Sequence, residues 1–207
     1  MKTDSLQDAV VVITGATSGI GRATALTFAR KGATLVLAAR RADVLAEVVA
    51  ECENFGGRAL AVPTDTTDAG AVRYLAEAAH EFGEGRIDIW INNAGSGAVG
   101  RFEEVPLAAH EQVLHLNLFG YLYGAHAVLP YFRQQGRGTL LNVVSLGAWL
   151  PEPYTASYSA SKYGLRGLWT RYAPSSATSP TSTSATCTLR TSTRPASSTG
   201  PTTPAKW

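Results

Sequence analysis

The chain has 207 residues and a formal net charge of +2 at pH 7, so it suits one domain with a substantial core. A charge this close to zero gives no case for binding nucleic acid or a membrane surface. Two cysteines are too few for a disulfide framework, and no apolar run approaches the length of a membrane span. Residues 1–8 are polar and acidic, so we expect no signal peptide there. We therefore expect a soluble, cytoplasmic protein, and no metal site, because the histidines show no ligand spacing.

Short apolar runs alternate with helical patterns along most of the chain. We predict strands at residues 9–14, 34–39, 59–63, 87–92 and 138–145, where aliphatic and β-branched residues cluster. Helical periodicity predicts helices at residues 19–31, 44–55, 69–82, 106–132 and 156–168. This alternation is typical of an α/β fold, and we predict a Rossmann-type doubly wound parallel sheet.

A glycine-rich turn follows the first predicted strand. Gly15 comes directly after that strand, and Gly19 and Gly21 lie at the start of the first predicted helix. Glycine lets the chain turn sharply there, and it lets backbone amides approach the pyrophosphate of a dinucleotide at the helix N-terminus. The spacing differs from the G-x-G-x-x-G fingerprint, and a tight loop without a ligand is the alternative. The flanking strand and helix favour a phosphate-binding turn.

Three residues further along the chain have the spacing of a proton-transfer site. Ser145 lies thirteen residues before Tyr158, and Lys162 lies four residues after Tyr158. Residues four apart share one helix face, so the Lys162 ammonium is placed to lower the pKa of the Tyr158 phenol from about 10. The Ser145 hydroxyl is suited to hold a carbonyl oxygen. Tyr154 and Tyr163 are alternatives, but they lack both spacings.

These motifs, together with Asn92-Asn93-Ala94-Gly95, resemble the short-chain dehydrogenase/reductase family in its short single-domain form, over about residues 8–168. The resemblance implies an oxidoreductase that interconverts an alcohol and a carbonyl of a small molecule by hydride transfer with a nicotinamide cofactor. It also implies a homodimer or homotetramer, and a water held by Asn117 that links Lys162 to solvent. The implied catalytic residues are Asn117, Ser145, Tyr158 and Lys162. The implied cofactor-binding residues are Gly15, Thr17, Ser18, Gly19, Ile20, Gly21, Arg40, Asp65, Thr66, Asn93, Ala94, Gly95, Tyr158 and Lys162.

The end of the second predicted strand bears on which dinucleotide is bound. An enzyme that uses NAD usually places an acid there to bond the ribose hydroxyls, but this position is Ala39, followed by two arginines that begin with Arg40. A guanidinium suits a 2′-phosphate, so we predict NADP rather than NAD, with a solvated loop as the alternative. The resemblance implies that Asp65 contacts the adenine, and we predict the N-cap of the third helix at Thr67 or Asp68.

The composition changes after residue 168. Residues 169–207 are rich in Ser, Thr and Pro, so we predict a disordered tail after an NAD(P)-binding domain of residues 1–168. The resemblance implies two further strands in this region, which we expect to be missing. Reading the codons one register over permits a helix that continues from Leu168 and a strand with a proline-containing loop around Cys187. We therefore predict a frameshifted, truncated C-terminus, and a non-catalytic dinucleotide-binding or inert fragment is the alternative to an active enzyme.

Overall fold

The computed structural model describes residues 6–150, 152–171 and 182–189. Its strands are β1 (Val10–Thr14), β2 (Thr34–Ala39), β3 (Ala59–Pro63), β4 (Ile89–Asn92), β5 (Gly138–Ser145) and β6 (Ser182–Leu189). Its α-helices are α1 (Gly19–Ala29), α2 (Ala42–Glu53), α3 (Ala69–Phe82), α4 (Leu107–Leu114), α5 (Gly120–Gln135) and α6 (Ala156–Arg171). None of these described helices is both long and apolar enough to cross a membrane.

The strands form one parallel sheet in the order β3-β2-β1-β4-β5-β6. The chain first builds outward from β1 to β3, and it then crosses back to place β4 on the other side of β1. The predicted Rossmann-type α/β fold is therefore confirmed. In such sheets, ligands bind outside the carboxyl ends of the strands where the strand order reverses, which here is between β1 and β4.

Helices pack on both faces of the sheet around two apolar cores. Val12 of β1 lies in one core with Trp90, whereas its neighbours Val11 and Ile13 lie in the other core with Leu45. Because β1 and β2 are buried on both faces, their sequences are continuous apolar runs and do not alternate with polar residues. This three-layer frame holds the ends of β1, β2, β4 and β5 in place for the loops that follow them.

The single long helix predicted at residues 106–132 is interrupted in the structure. A π-helical turn at His115–Phe119 separates α4 from α5, and this turn contains about one residue more than a turn of α-helix. Asn117 in this turn is fully buried, and its amide bonds to the backbone of Ser96 in the loop after β4. The apolar spacing on both sides is helical, which is why the sequence predicts a continuous helix. The wider turn lets a buried amide reach partners outside the helix.

The structure also differs from expectation in the tail. Ser182–Leu189 form β6, which pairs in parallel with β5 along its whole length, although we expected no strand after residue 168. Ladder hydrogen bonds join backbone groups and need no apolar side chain. The nearest prolines, Pro180 and Pro195, flank this stretch instead of interrupting it, and three threonines within it favour extended backbone. The rest of the predicted tail lies outside the described residues, and the frameshift, a property of the DNA, stays a prediction.

Candidate active site

Two glycines of the turn after β1 are packed so closely that neither accepts a side chain. Gly15 has a φ of +66°, and a Cβ there would lie 2.8 Å from the Cα of Ala94. A Cβ on Gly21 would lie 2.2 Å from the carbonyl oxygen of Gly15. Ser18, the N-cap of α1, makes no capping hydrogen bond with its side chain. The N-terminus of α1 therefore faces an open cavity and is suited to an anion.

Asn93 joins the glycine turn to the loop after β4. Its Nδ2 donates to the carbonyl oxygens of Thr14 at 2.9 Å and Gly15 at 3.2 Å. In return, the Thr14 hydroxyl accepts from the backbone N–H groups of Asn93 at 3.0 Å and Ala94 at 3.2 Å. These bonds cross the switch point of the sheet, so they fix the two loops that a ligand bound there would contact.

A cavity of about 340 Å³, called the first cavity below, lies between the glycine turn and the loops after β2, β3 and β4. Most of the predicted cofactor-binding residues line it, namely Gly15, Thr17, Ser18, Gly19, Ile20, Arg40, Asp65, Thr66, Asn93, Ala94 and Gly95. Gly21 lies behind the turn, and Tyr158 and Lys162 line a neighbouring cavity. Thr64, Gln112 and Leu116 also line the first cavity but belong to no recognisable motif.

The lining of the first cavity fits a nicotinamide dinucleotide. Its glycines admit backbone close to a pyrophosphate, and the N-terminus of α1 supplies a partial positive charge. Arg40 and Arg41 line the cavity at the end of β2, where they supply cations. The residues that would hold the group are therefore gathered in one place, on four different loops.

Asp65 faces the first cavity together with Arg40, which carries the opposite charge. Its Oδ1 accepts from the backbone N–H of Thr67 at 2.9 Å and from the Thr67 hydroxyl at 2.7 Å. Burial acts to raise the pKa of the Asp65 carboxyl, but these bonds and the Arg40 charge outweigh burial and lower it. The N-cap of α3 is Asp68, one of the two predicted residues. Asp65 is therefore an ionised group that is not needed to cap the helix.

A second cavity, of about 220 Å³, adjoins the first. Ile20, Asn93 and Gly95 line both cavities. The second cavity brings together three of the predicted catalytic residues, because the end of β5 supplies one and α6 supplies two: Ser145, Tyr158 and Lys162. The remaining lining residues are Ser96, Tyr121, Val143 and Val144.

The ring of Tyr158 lies between two glycines. A Cβ on Gly147 would lie 3.4 Å from its Cε1, and a Cβ on Gly97 would lie 3.8 Å from its Cδ2. The Ser145 hydroxyl accepts from the backbone N–H of Gly147 at 3.2 Å, so its own hydrogen remains available to an acceptor in the cavity. Ser145 and Tyr158 thus both lie against the same short turn after β5.

Lys162 is the cation of the second cavity. The residue is only 4% exposed, and its Nζ donates to the carbonyl oxygen of Val143 at 3.2 Å. Burial lowers the pKa of its ammonium to about 8. Nζ lies 4.8 Å from the ring centroid of Tyr121 and 5.8 Å from that of Tyr158. Lys162 is thus still mostly charged at pH 7 and lies beside the Tyr158 phenol.

Asn117, the fourth predicted catalytic residue, is not among the described residues that line the second cavity. Its Oδ1 accepts from the backbone N–H of Ser96 at 2.9 Å. Its Nδ2 donates to the carbonyl oxygen of Ser96 at 2.8 Å and to the Ser161 hydroxyl at 3.2 Å. The amide therefore links the π-helical turn to a loop of the cavity and to the residue before Lys162.

Two further residues near the site were not predicted from the sequence. Tyr121 lines the second cavity, and His110 is a buried bridge between α4, α6 and the loop after β4. His110 Nδ1 lies 3.0 Å from the Ser157 hydroxyl, and its Nε2 lies 3.2 Å from the Phe102 carbonyl oxygen. A carbonyl only accepts, so Nε2 carries the hydrogen in this contact. Neither residue has a spacing that marks a motif, which is why only the folded chain reveals them.

Comparison with known proteins identifies the family. The sequence profile described as short chain dehydrogenase matches residues 9–202, past the point where the motif-based resemblance ends. A 1,6-dihydroxycyclohexa-2,4-diene-1-carboxylate dehydrogenase from Acinetobacter baylyi is 40% identical over 169 residues, which are 80% of this chain and 62% of the relative.

Solved structures agree with the sequence comparison. A short chain dehydrogenase/reductase from Burkholderia phymatum in complex with NAD has a TM-score of 0.85 at 29% identity, covering 90% of this chain and 66% of that chain. An alcohol dehydrogenase from the archaeon Thermococcus sibiricus, complexed with 5-hydroxy-NADP, has a TM-score of 0.74 at 31% identity, covering 77% and 68%. This chain thus spans about two thirds of the length of these relatives. Because the profile matches most of the chain and the fold agrees, the protein belongs to the short chain dehydrogenase family.

Proposed function

We propose that this protein is an NADP-dependent oxidoreductase that interconverts an alcohol and a carbonyl by hydride transfer. The observation that carries this proposal is the adjacency of the two cavities. Residues suited to a dinucleotide line the first cavity, and Ser145, Tyr158 and Lys162 line the second. A ligand held in the first cavity has direct access to the second, and a bound nicotinamide would supply or accept the hydride there.

Proton transfer in the second cavity falls to Tyr158. A phenol ordinarily has a pKa of about 10, too high for efficient acid–base exchange near neutral pH. The Lys162 ammonium, with Nζ 5.8 Å from the Tyr158 ring centroid, would offset the negative charge that develops on the phenol oxygen as it gives up its proton. The Ser145 hydroxyl would donate to the substrate oxygen and hold it beside the phenol, where charge develops during the reaction. Asn117 would keep the loop at Ser96 in place and support a water that links Lys162 to solvent.

The proposed preference for NADP is supported by residues of this chain and not by the relatives, whose complexes include both NAD and an NADP derivative. Ala39 ends β2 without the carboxylate that would bond a ribose 2′-hydroxyl and repel a 2′-phosphate. Arg40 and Arg41 follow and line the first cavity. A guanidinium binds phosphate oxygens with a planar fork of donors. These residues therefore favour the phosphorylated dinucleotide.

The substrate is proposed to be a small molecule with an apolar part. Trp149, Leu150 and Tyr154 follow the Ser145 turn and remain exposed, by 39%, 60% and 61%. Such side chains, close along the chain to Ser145 and Tyr158, favour apolar groups around the reacting carbon. The proposal also includes a cytoplasmic location, which fractionation of cells would test. It includes a homodimer or homotetramer as well, which sedimentation of the purified protein would test.

The function is tested by following NADPH oxidation with a panel of aldehydes and ketones. We expect turnover, and we expect deuterium from labelled NADPH to appear on the carbinol carbon of the product. Titration calorimetry measures dinucleotide binding separately. Binding without turnover would favour a dinucleotide-binding chain that is not catalytic, and an absence of both would leave an inert fragment as the explanation.

A further inference from the structure

Tyr121 lines the second cavity but has no part in the chemistry proposed above. It is the second residue of α5, directly after the π-helical turn, and is only 2% exposed. A tyrosine buried this deeply needs a partner for its hydroxyl. That hydroxyl donates to the carbonyl oxygen of Val143 in β5 at 3.0 Å.

The same carbonyl oxygen is the acceptor for Lys162, whose Nζ lies 3.2 Å away. Side chains from α5 and α6 thus meet at one backbone group of β5. The shared acceptor places the Tyr121 ring under the ammonium, with Nζ 4.8 Å from the ring centroid. An aromatic face attracts a cation at this distance, and it does so more strongly where water is excluded.

Lys162 needs such a neighbour because its environment works against its charge. Burial lowers the pKa of the ammonium to about 8, so half of the Lys162 side chains would be neutral at about pH 8. Among the described residues that line the second cavity, the titratable ones are Tyr121, Tyr158 and Lys162, from α5 and α6. β5, the start of α1 and the loop after β4 contribute only neutral groups to that lining. No carboxylate of this lining offsets the positive charge, and Tyr121 has the nearer of the two aromatic faces.

We propose that Tyr121 is a positioning residue for Lys162, with a ring face that lies beneath Nζ and stabilises the ammonium. The inference rests on the proposed function, since it concerns the cation that acts on Tyr158. The competing explanation is a tyrosine kept for packing, because Tyr121 also belongs to the apolar core around Trp90. A residue kept for packing could become an apolar residue of similar volume without any effect on Lys162.

The chain is well suited to a direct test because it contains only four lysines, Lys2, Lys31, Lys162 and Lys206. Carbon-13 labelling of lysine gives a small set of NMR signals, and the variant Lys162→Arg assigns one of them to Lys162. We expect Tyr121→Leu, which removes the aromatic face, to lower the pKa of Lys162 by about one unit. We expect Tyr121→Phe, which keeps the face, to change it by less than a third of that amount.

The matched control is Phe132→Leu, which makes a similar truncation at an equally buried aromatic residue of α5 that does not line the second cavity. It should leave the Lys162 titration unchanged. The proposal would be overturned if the pKa of Lys162 is unchanged or raised in Tyr121→Leu. It would also be overturned if Tyr121→Phe or Phe132→Leu shifts that pKa as much as Tyr121→Leu does. If Tyr121→Leu does not fold, Tyr121→Met decides by the same criteria.

A second measurement separates this inference from the proposed function. In the proposed enzyme, Tyr121→Leu should lower kcat at pH 7.5 by about threefold to tenfold, while the KM for NADPH changes little. The NMR titration needs no turnover. If Tyr121→Leu shifts the Lys162 pKa but the wild-type chain turns over no carbonyl, the inference stands and the proposed function is wrong. If the chain is active but the Lys162 pKa does not shift, the function stands and the inference is wrong.

Discussion

The two adjoining cavities are built from different parts of the chain. The glycine turn after β1 and the loops after β2, β3 and β4 shape the first, and a methyl group added at Gly21, behind that turn, would collide with the carbonyl oxygen of Gly15. Side chains of β5, α5 and α6 shape the second, around a buried ammonium and two phenols. Dinucleotide binding in the first cavity should therefore weaken when an atom is added to the glycine turn. Catalysis in the second cavity should weaken when a particular atom is removed. Variants in each cavity can test this difference.

The largest effect is expected from removing one oxygen atom in the second cavity. Tyr158→Phe keeps the ring between Gly147 and Gly97 but removes the group proposed to move the proton. We expect kcat to fall by about a thousandfold, since general acid–base catalysis contributes about 10²–10⁴. NADPH affinity, measured by calorimetry, should stay within about threefold of the wild type, because general acid–base catalysis lowers the barrier and not the binding free energy. Rates near the wild-type value would show that Tyr158 is not the acid–base group, and Tyr154 would be tested next.

The next effect concerns the stability that the buried ammonium costs. Lys162 has a pKa of about 8 in the folded chain and about 10.4 when unfolded. Between these pH values the unfolded chain binds a proton that the folded chain does not, so this residue makes stability rise with pH. At pH 7, Lys162→Met should therefore increase the free energy of unfolding by up to about 3 kcal/mol.

Chemical denaturation at several pH values measures this prediction. The advantage of Lys162→Met should decline from pH 8 upward and vanish above about pH 10.4. Lys31→Met, at an exposed position, is the control and should change stability by less than about 0.5 kcal/mol. A Lys162→Met variant that is less stable than the wild type at pH 7 would mean that the contacts of the ammonium outweigh its desolvation.

Behind the first cavity, a methyl group added to the glycine turn should be enough to weaken binding. Gly21→Ala would place a Cβ 2.2 Å from the Gly15 oxygen and 2.6 Å from Nδ2 of Asn93. The turn would shift to relieve this overlap, and bringing it back to the geometry that binds costs about 2 kcal/mol, so NADPH affinity should fall about 30-fold. Gly167→Ala on α6 is the matched control, since a Cβ there meets nothing within 4 Å, and binding should not change. Equal affinities for both variants would contradict the close-packed turn.

The smallest effect is expected at the edge of the first cavity, where side chains do contribute. Arg40→Ala should weaken NADPH binding about tenfold, the loss expected for one charge-assisted hydrogen bond, and leave NADH binding nearly unchanged. Arg41→Ala serves as the comparison, because it removes a neighbouring cation that also lines the cavity. An equal loss for both dinucleotides in Arg40→Ala would rule out Arg40 as the partner of the 2′-phosphate.

The sequence predicts most of the residues that line the first cavity because each of the motifs that supply them is short and continuous along the chain. Gly15, Gly19 and Gly21 follow a buried strand, and the sheet topology then brings Asn93 to the same edge. The limits of β2, β3, α3 and β5 agree with those predicted, since each is a continuous pattern bounded by turn residues. Ser145, Tyr158 and Lys162 also meet as predicted, because two of them share one helix face and the third ends a neighbouring strand.

Tertiary contacts account for what the sequence does not predict. Tyr121 and His110 lie in helices with unremarkable spacing, and their roles depend on Val143 and Ser157, which lie more than twenty residues away along the chain. The strand β6 depends on backbone pairing with β5 and has no apolar pattern to mark it. The spacing of apolar residues indicates which positions are buried. The roles of Tyr121, His110 and β6 depend instead on the residues that the fold places next to them.

The π-helical turn at His115–Phe119 sets the phase between the two helices it joins. Each residue of an α-helix turns the side-chain direction by about 100°. If the same residues were wound as one continuous α-helix, with α4 held in place, everything after the turn would rotate by about that angle. Tyr121 would then swing away from Lys162, and the apolar face of α5 would leave the core. The contact between Tyr121 and Lys162 therefore depends on how the helix is wound as well as on the types of the two residues. The π-helical turn gives α5 the rotation, relative to α4, that this contact requires.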